Sequence, residues 1–338
     1  MNPHSVNRII SDAYDINLEV DNFKKGSIPD LLTAVNKERS SVRFEIDLPS
    51  GFDEVIISAS VDIDENDKVC FSFYDSDNVF CMGDFSPFKS YSFSKRIPKA
   101  SVEVDLLRFD KKINKIGAEI TLLPSSLDTK RRIRLINVVM TDRGKRNEYK
   151  KFVPLRSIKL FVKPISQMIQ HFNYKQDICS PTSLSMLFDY YGVEIDPVMV
   201  AQAVYDNSGA IYGNWLFNTV YASTLGFYSF IARINSFEIL YRLLSIELPV
   251  IASISYSAGE LKKAPIKKTK GHLVVIKGMT SKGDIIVNDP AACDNSSVEI
   301  VYDSKEFFKA WIENKYGTSY IVADENRISK VISIIREG

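Results

Sequence analysis

Histidine is nearly missing from this chain: His4, His171 and His272 are the only three in 338 residues. Any chemistry that needs an imidazole therefore has a short list of candidates. Cysteine is almost as scarce. Cys70, Cys81, Cys179 and Cys293 are too few and too scattered for a disulfide framework or a C-x-x-C metal site. No run approaches the roughly 18 apolar residues of a membrane span. Neither sign of charge is in excess, because 43 Lys and Arg face 42 Asp and Glu, a net +1. Composition thus offers no electrostatic reason to expect nucleic acid or an anionic membrane as partner. The opening residues, Met1 to Ile10, carry no apolar core and no small-residue cleavage site, so a cytoplasmic location is expected. What is present, 45% apolar and 25% charged, is the composition of an ordinary globular protein, with length for two domains.

The two halves differ in texture. Residues 1–40 are polar and mixed, with a short helix expected at Pro29–Asn36. From Ser41 onward, strand patterns recur at Val42–Leu48, Glu54–Asp62, Val69–Tyr74, Tyr91–Ser94, Ser101–Leu107, Gly117–Leu123 and Arg132–Val139. A turn is expected at Pro49-Ser50-Gly51, and the spacing is that of an antiparallel sandwich. Cys70 and Cys81 are expected as buried free thiols, and Cys293 as a bystander or core residue. The cations of Lys130-Arg131-Arg132 and Arg143-Gly144-Lys145-Arg146 read as solvated strand ends and linker. The domain expectation is a β-sandwich over 1–145, with its first 40 residues ill-defined, a linker over 146–164, and a second domain over 165–338.

In the second half, helices come first and an antiparallel sheet follows, which makes an α+β domain. Its key stretch is Cys179-Ser180-Pro181-Thr182-Ser183-Leu184, a loop turning into a helix. Ser180 suits the N-cap, Pro181 the first helical position, and Gly192 the stop. That leaves Cys179 at a helix N-terminus, where free N–H groups and the dipole favour an anion. His272 opens an apolar strand, and a tight turn at Ser281–Gly283 would lay that strand beside Ile285–Asn288. Asp289 would then lie against His272, where a carboxylate orients an imidazole and stabilises its charged form. A cysteine, a histidine 93 residues on and an aspartate 17 further make a Cys, His, Asp order suited to nucleophilic catalysis.

These motifs also resemble a known family. Ser166-Gln167-Met168, Cys179-Ser180-Pro181-Thr182-Ser183, Gly213-Asn214-Trp215-Leu216-Phe217-Asn218-Thr219, Gly259-Glu260-Leu261, Gly271-His272 and Asn288-Asp289-Pro290-Ala291-Ala292 are similar to elements of the C39-like (bacteriocin-processing-type) cysteine peptidases, in a subgroup with a preceding β-sandwich. The resemblance covers residues 165–322. It implies a papain-like fold, Cys179, His272 and Asp289 as a triad, and an upstream glutamine lining the oxyanion hole. Gln167, twelve residues before Cys179, matches the family's element; Gln176, three before, competes with it. Trp215, Asn214 and Gln176 are candidates for the substrate groove, and the lysines of Ser257–Lys270 for favouring acidic substrates. A peptide or protein substrate is expected, with no metal or organic cofactor. The sandwich is a candidate site for a surface or glycan ligand. Three readings follow: a cysteine peptidase, an acyl transferase or amidase with the same triad, and a non-enzymatic peptide-binding module.

Overall fold

A computed structural model describes residues 5–11, 15–16, 32–35, 40–125 and 131–337. The chain is mixed α+β, with an eleven-stranded antiparallel sheet followed by helices and a seven-stranded antiparallel sheet.

Two long strands organise the first sheet, Ser40–Asp62 and Leu106–Leu123. The first half of Ser40–Asp62 pairs with Lys115–Leu122, and its second half pairs with Arg132–Thr141. Leu106–Leu123 divides likewise, its start against Ala100–Glu103 and its end against Lys68–Tyr74. Each long strand therefore changes partner along its length, and its two partner sets are called its two layers. Side chains from both layers, among them Val42, Phe44, Val55, Ile57, Phe71, Phe73, Ile120 and Val138, meet in one core. Lys68–Tyr74 shows the period clearly, since Val69, Phe71 and Phe73 are buried and their neighbours half-buried.

Several local expectations need correction. The turn at Pro49–Gly51 is a bend inside one strand, with Gly51 at φ +75°. Glycine takes that conformation without a Cβ clash, and the register slips against the partner strand between Arg108 and Lys115. Conversely, Ser101–Leu107 is two strands, broken at Val104-Asp105, where Val104 has φ +57°. Within the helix expected at Pro29–Asn36, Leu32–Val35 is a strand paired to Ser40–Arg43, which uses the edge groups of that strand; the rest of that stretch, like His4 and Lys130, lies outside the described residues. Arg131 is not solvated: it is buried and paired with Asp67 at 2.6 Å. Cys70 is half-buried on an outward-facing position, and Cys81 and Cys293 are exposed, none of them in a disulfide.

The second sheet runs in the order Tyr228–Arg233, Thr318–Ala323, Val250–Tyr256, Thr269–Met279, Ile285–Asn288, Glu299–Tyr302. Ile158–Lys159 pairs onto Gly278–Met279. Around it lie α1 (Cys179–Tyr190), α2 (Pro197–Val204), α3 (Trp215–Thr224), α4 (Phe237–Ser245), α5 (Ser304–Phe308) and α6 (Glu325–Arg336). Among the described residues no helix is long and apolar enough to cross a membrane.

The two sheets are joined by buried chemistry. Leu216, Phe217 and Val220 of α3 belong to the core of the first sheet. Glu54, fully buried, accepts from Arg233 of the second sheet and from Arg108 of the first (2.6 Å). Asn137 donates to the Ile231 carbonyl at 2.6 Å, and the Ser58 hydroxyl accepts from the Ile231 N–H at 3.0 Å.

Candidate active site

The cysteine is the first residue of α1. The residue before it, Ile178, has no side chain able to cap the helix, so the first-turn N–H groups stay open beside Cys179. Here the helix start is corrected by two residues. Ser180 does not cap it, because its hydroxyl points inward, donating to Asn218 Oδ1 at 2.8 Å and sharing a 2.9 Å hydrogen bond with the Tyr320 hydroxyl. Pro181 then falls at the third position, still inside the turn whose N–H groups have no partner to lose. The Ser180 bonds tie the start of α1 to α3 and to the second sheet, which fixes the height of Cys179.

His272 lies near the start of the strand Thr269–Met279 and is 2% exposed. The turn closing at Gly283 pairs that strand with Ile285–Asn288, Val275 opposite Asn288. By this register Asp289 lies diagonal to His272 on the same face. His272 Nε2 is 2.7 Å from Asp289 Oδ1, and the Cys179 sulfur is close enough to act on the same ring. Burial works to lower the proton affinity of this imidazole. The charge of Asp289, its hydrogen bond and the Cys179 sulfur outweigh burial and raise the pKa to about 10.

Asp289 has no exposed surface and three donors: His272, the Ala291 N–H at 3.0 Å and the Tyr302 hydroxyl at 2.9 Å. Burial and the neighbouring carboxylate push the Tyr302 phenol well upward, so it stays a donor. The segment after Asp289 also holds the upstream glutamine. Gln167 N–H donates to the Pro290 carbonyl at 2.8 Å, and the Ser166 hydroxyl donates to the Ala292 carbonyl at 2.5 Å. Gln167 is 1% exposed, and its amide donates to the Gln176 carbonyl at 2.9 Å. Among the described residues its oxygen has no partner, and only one of its two amide hydrogens is used in that bond.

The other candidates divide. The Gln176 side chain is exposed, while its backbone holds Gln167. Asn214 is buried with both ends committed, Oδ1 to the Phe217 N–H as the cap of α3 and Nδ2 to Asp206 Oδ2. Its side chain serves as the cap of α3. Trp215 is half-buried, with the Lys315 ammonium 5.7 Å from its ring centre. His171 is exposed.

Three participants escaped the sequence reading. Tyr302 lies on the strand beyond Ile285–Asn288, and nothing local marks it as a partner of Asp289. Asp105, on the turn of the first sheet, accepts from the Trp215 N–H at 2.6 Å; burial raises its carboxyl to about 7 despite that bond. Lys315 lies over Gly271, whose Cβ, if present, would be 3.7 Å from the ammonium. Among the described residues no three His, Cys, Asp or Glu side chains converge as a metal site would require.

Comparison with known proteins bears on the second half of the chain. No protein of curated function matches the chain. A crystal structure from Bacillus anthracis, assigned there as a candidate C39-like peptidase, is 15% identical, covers 50% of this chain and 98% of its own, and superposes with a TM-score of 0.38. A vicilin from Solanum lycopersicum is 10% identical over 65% of this chain and 58% of its own, with a TM-score of 0.12. A family model matches residues 159–319, the stretch that holds Gln167, Cys179, His272 and Asp289. The model is that of the Peptidase_C39 like family, to which this stretch is similar.

Proposed function

We propose that the chain is a cysteine peptidase acting through Cys179, His272 and Asp289. The observation that supports this best is the buried His272–Asp289 pair at 2.7 Å, with the Cys179 sulfur acting on the same ring from an uncapped helix N-terminus. In the reaction His272 takes the thiol proton, and the sulfur attacks the carbonyl carbon of the scissile peptide. The negative charge formed on the carbonyl oxygen is met by the Cys179 N–H and by the free hydrogen of the Gln167 amide. As the C–N bond breaks, His272 returns its proton to the leaving amine. Water, deprotonated by His272, then attacks the thioester carbonyl and releases the acid and the thiol. Asp289 holds the ring and balances the imidazolium through both halves.

Hydrolysis is favoured over transfer to an amine only by the family similarity, so the test reads both. A peptide library is incubated with the protein and with Cys179→Ala, with and without an added amine acceptor. Cleavage to free carboxylates that falls by about 10³-fold or more in the variant is the expected result. Equal cleavage by both proteins would overturn the assignment.

A further inference from the structure

A cavity of about 710 Å³ opens beside the start of the His272 strand, lined among others by Arg146, Tyr256, Lys268, Lys270, Glu313 and Asn314. Lys270 stands two residues before His272, and Asn314 directly precedes Lys315. The charge here is in cationic excess. Glu260, also on the wall, is committed to Lys309 at 2.8 Å and to the Ser257 N–H at 2.7 Å. Arg146, Lys268, Lys270 and Lys315 form no ion pair among the described residues, and Glu313 is the remaining carboxylate on the wall. Lys315 is half-buried, beside Trp215 and over Gly271, and its ammonium has no hydrogen-bond partner among the described residues. Asp105, whose charge acts on it, is beyond ion-pair distance and already accepts from the Trp215 N–H. A partly desolvated cation without a counter-ion is costly to keep, and a carboxylate arriving with a ligand relieves that cost.

We infer that Lys315 and the adjoining basic cavity recognise acidic side chains of the peptide substrate on one side of the scissile bond. The inference rests on the peptidase reading for what is cut, and on the cavity and its cations for what is bound. Of the lysines in Ser257–Lys270, it is Lys268 and Lys270 that line the cavity and take this role.

The test uses fluorescein-labelled peptides of Gly, Ser and Ala carrying a run of Glu, or the matching run of Gln. Two quantities are read: the Glu-to-Gln ratio of kcat/KM for the native protein, and the same ratio of affinities by anisotropy on Cys179→Ala. The ratio is taken within each protein, so losses common to both peptides cancel. Both ratios are expected to favour Glu by roughly three- to tenfold at low salt and to shrink at about 0.5 M salt. Lys315→Met and the pair Lys268→Gln, Lys270→Gln should each pull the ratio towards one, and Lys315→Arg should restore it. An anisotropy ratio of one in the unsubstituted cavity, or a ratio that survives both sets of changes, overturns the inference. Cleavage without preference removes acidic recognition and leaves the peptidase. Preference in anisotropy without cleavage of either peptide removes the peptidase and upholds recognition.

Discussion

Asp289 shows how much a single buried carboxylate depends on its donors. It is fully buried, and three hydrogen bonds replace its water. The Tyr302 bond is the only one of these from a side chain outside the proposed triad. Tyr302→Phe keeps the ring and removes the donor, leaving Oδ2 unpaired. The expected cost is about 1–3 kcal/mol in urea unfolding, with a lower kcat as His272 loses a fixed partner. A change under about 0.3 kcal/mol would mean that water replaces the phenol. That Cys179, His272 and Asp289 come near one another was legible in sequence for a simple reason. Three histidines leave few combinations, and a helix start, a strand start and a tight turn are local signals. Tyr302 was not legible, because its bond to Asp289 is a consequence of tertiary packing that no spacing announces. The capping role of Asn214 was not legible either: a cap residue and a groove residue look alike until burial is known.

At the scale of elements, the turn Val104-Asp105 is the instructive case. Ser101–Leu107 has the apolar alternation of a single strand, yet Val104 turns the chain at φ +57°. The turn sends Asp105 to the N-terminus of α3, the helix whose Asn218 also receives Ser180 next to the cysteine. A carboxyl raised to about 7 means the folded protein holds a proton there that the unfolded chain, near 3.9, releases. Stability from this group therefore falls as pH rises from about 4 through about 7. Asp105→Asn keeps an acceptor for the Trp215 N–H without the buried charge. It should be more stable than the native protein by roughly 2 kcal/mol at pH 8, with the difference fading towards pH 4. Urea unfolding at both pH values checks this, and a variant less stable at pH 8 would contradict it. The strands of the second sheet were legible because their apolar runs are bounded by Gly, Pro and Asp. The helix α6 was overlooked, although Asp324 caps it and Ile328, Val331, Ile332 and Ile335 keep helical spacing along its buried face.

Across the whole molecule, the division into two halves was legible from texture, but their union was not. Sequence shows where strands give way to helices. It does not show that α3 completes the core of the first sheet, or that Glu54 and Arg233 meet in its interior. Those contacts join residues 179 positions apart, and alternating patterns carry no record of a partner at that distance. The proposed chemistry draws on the same long-range order, since α1, the second sheet and the Gln167 segment must all be in place around one sulfur. Cysteine alkylation tests that order most directly. Treated with iodoacetamide at about pH 6, where an ordinary thiol is largely protonated, the native protein should react at Cys179 at least tenfold faster than at the exposed Cys81 and Cys293. His272→Ala should remove that advantage. Equal, slow labelling at all three cysteines, or fast labelling of Cys179 that persists without His272, would contradict the account.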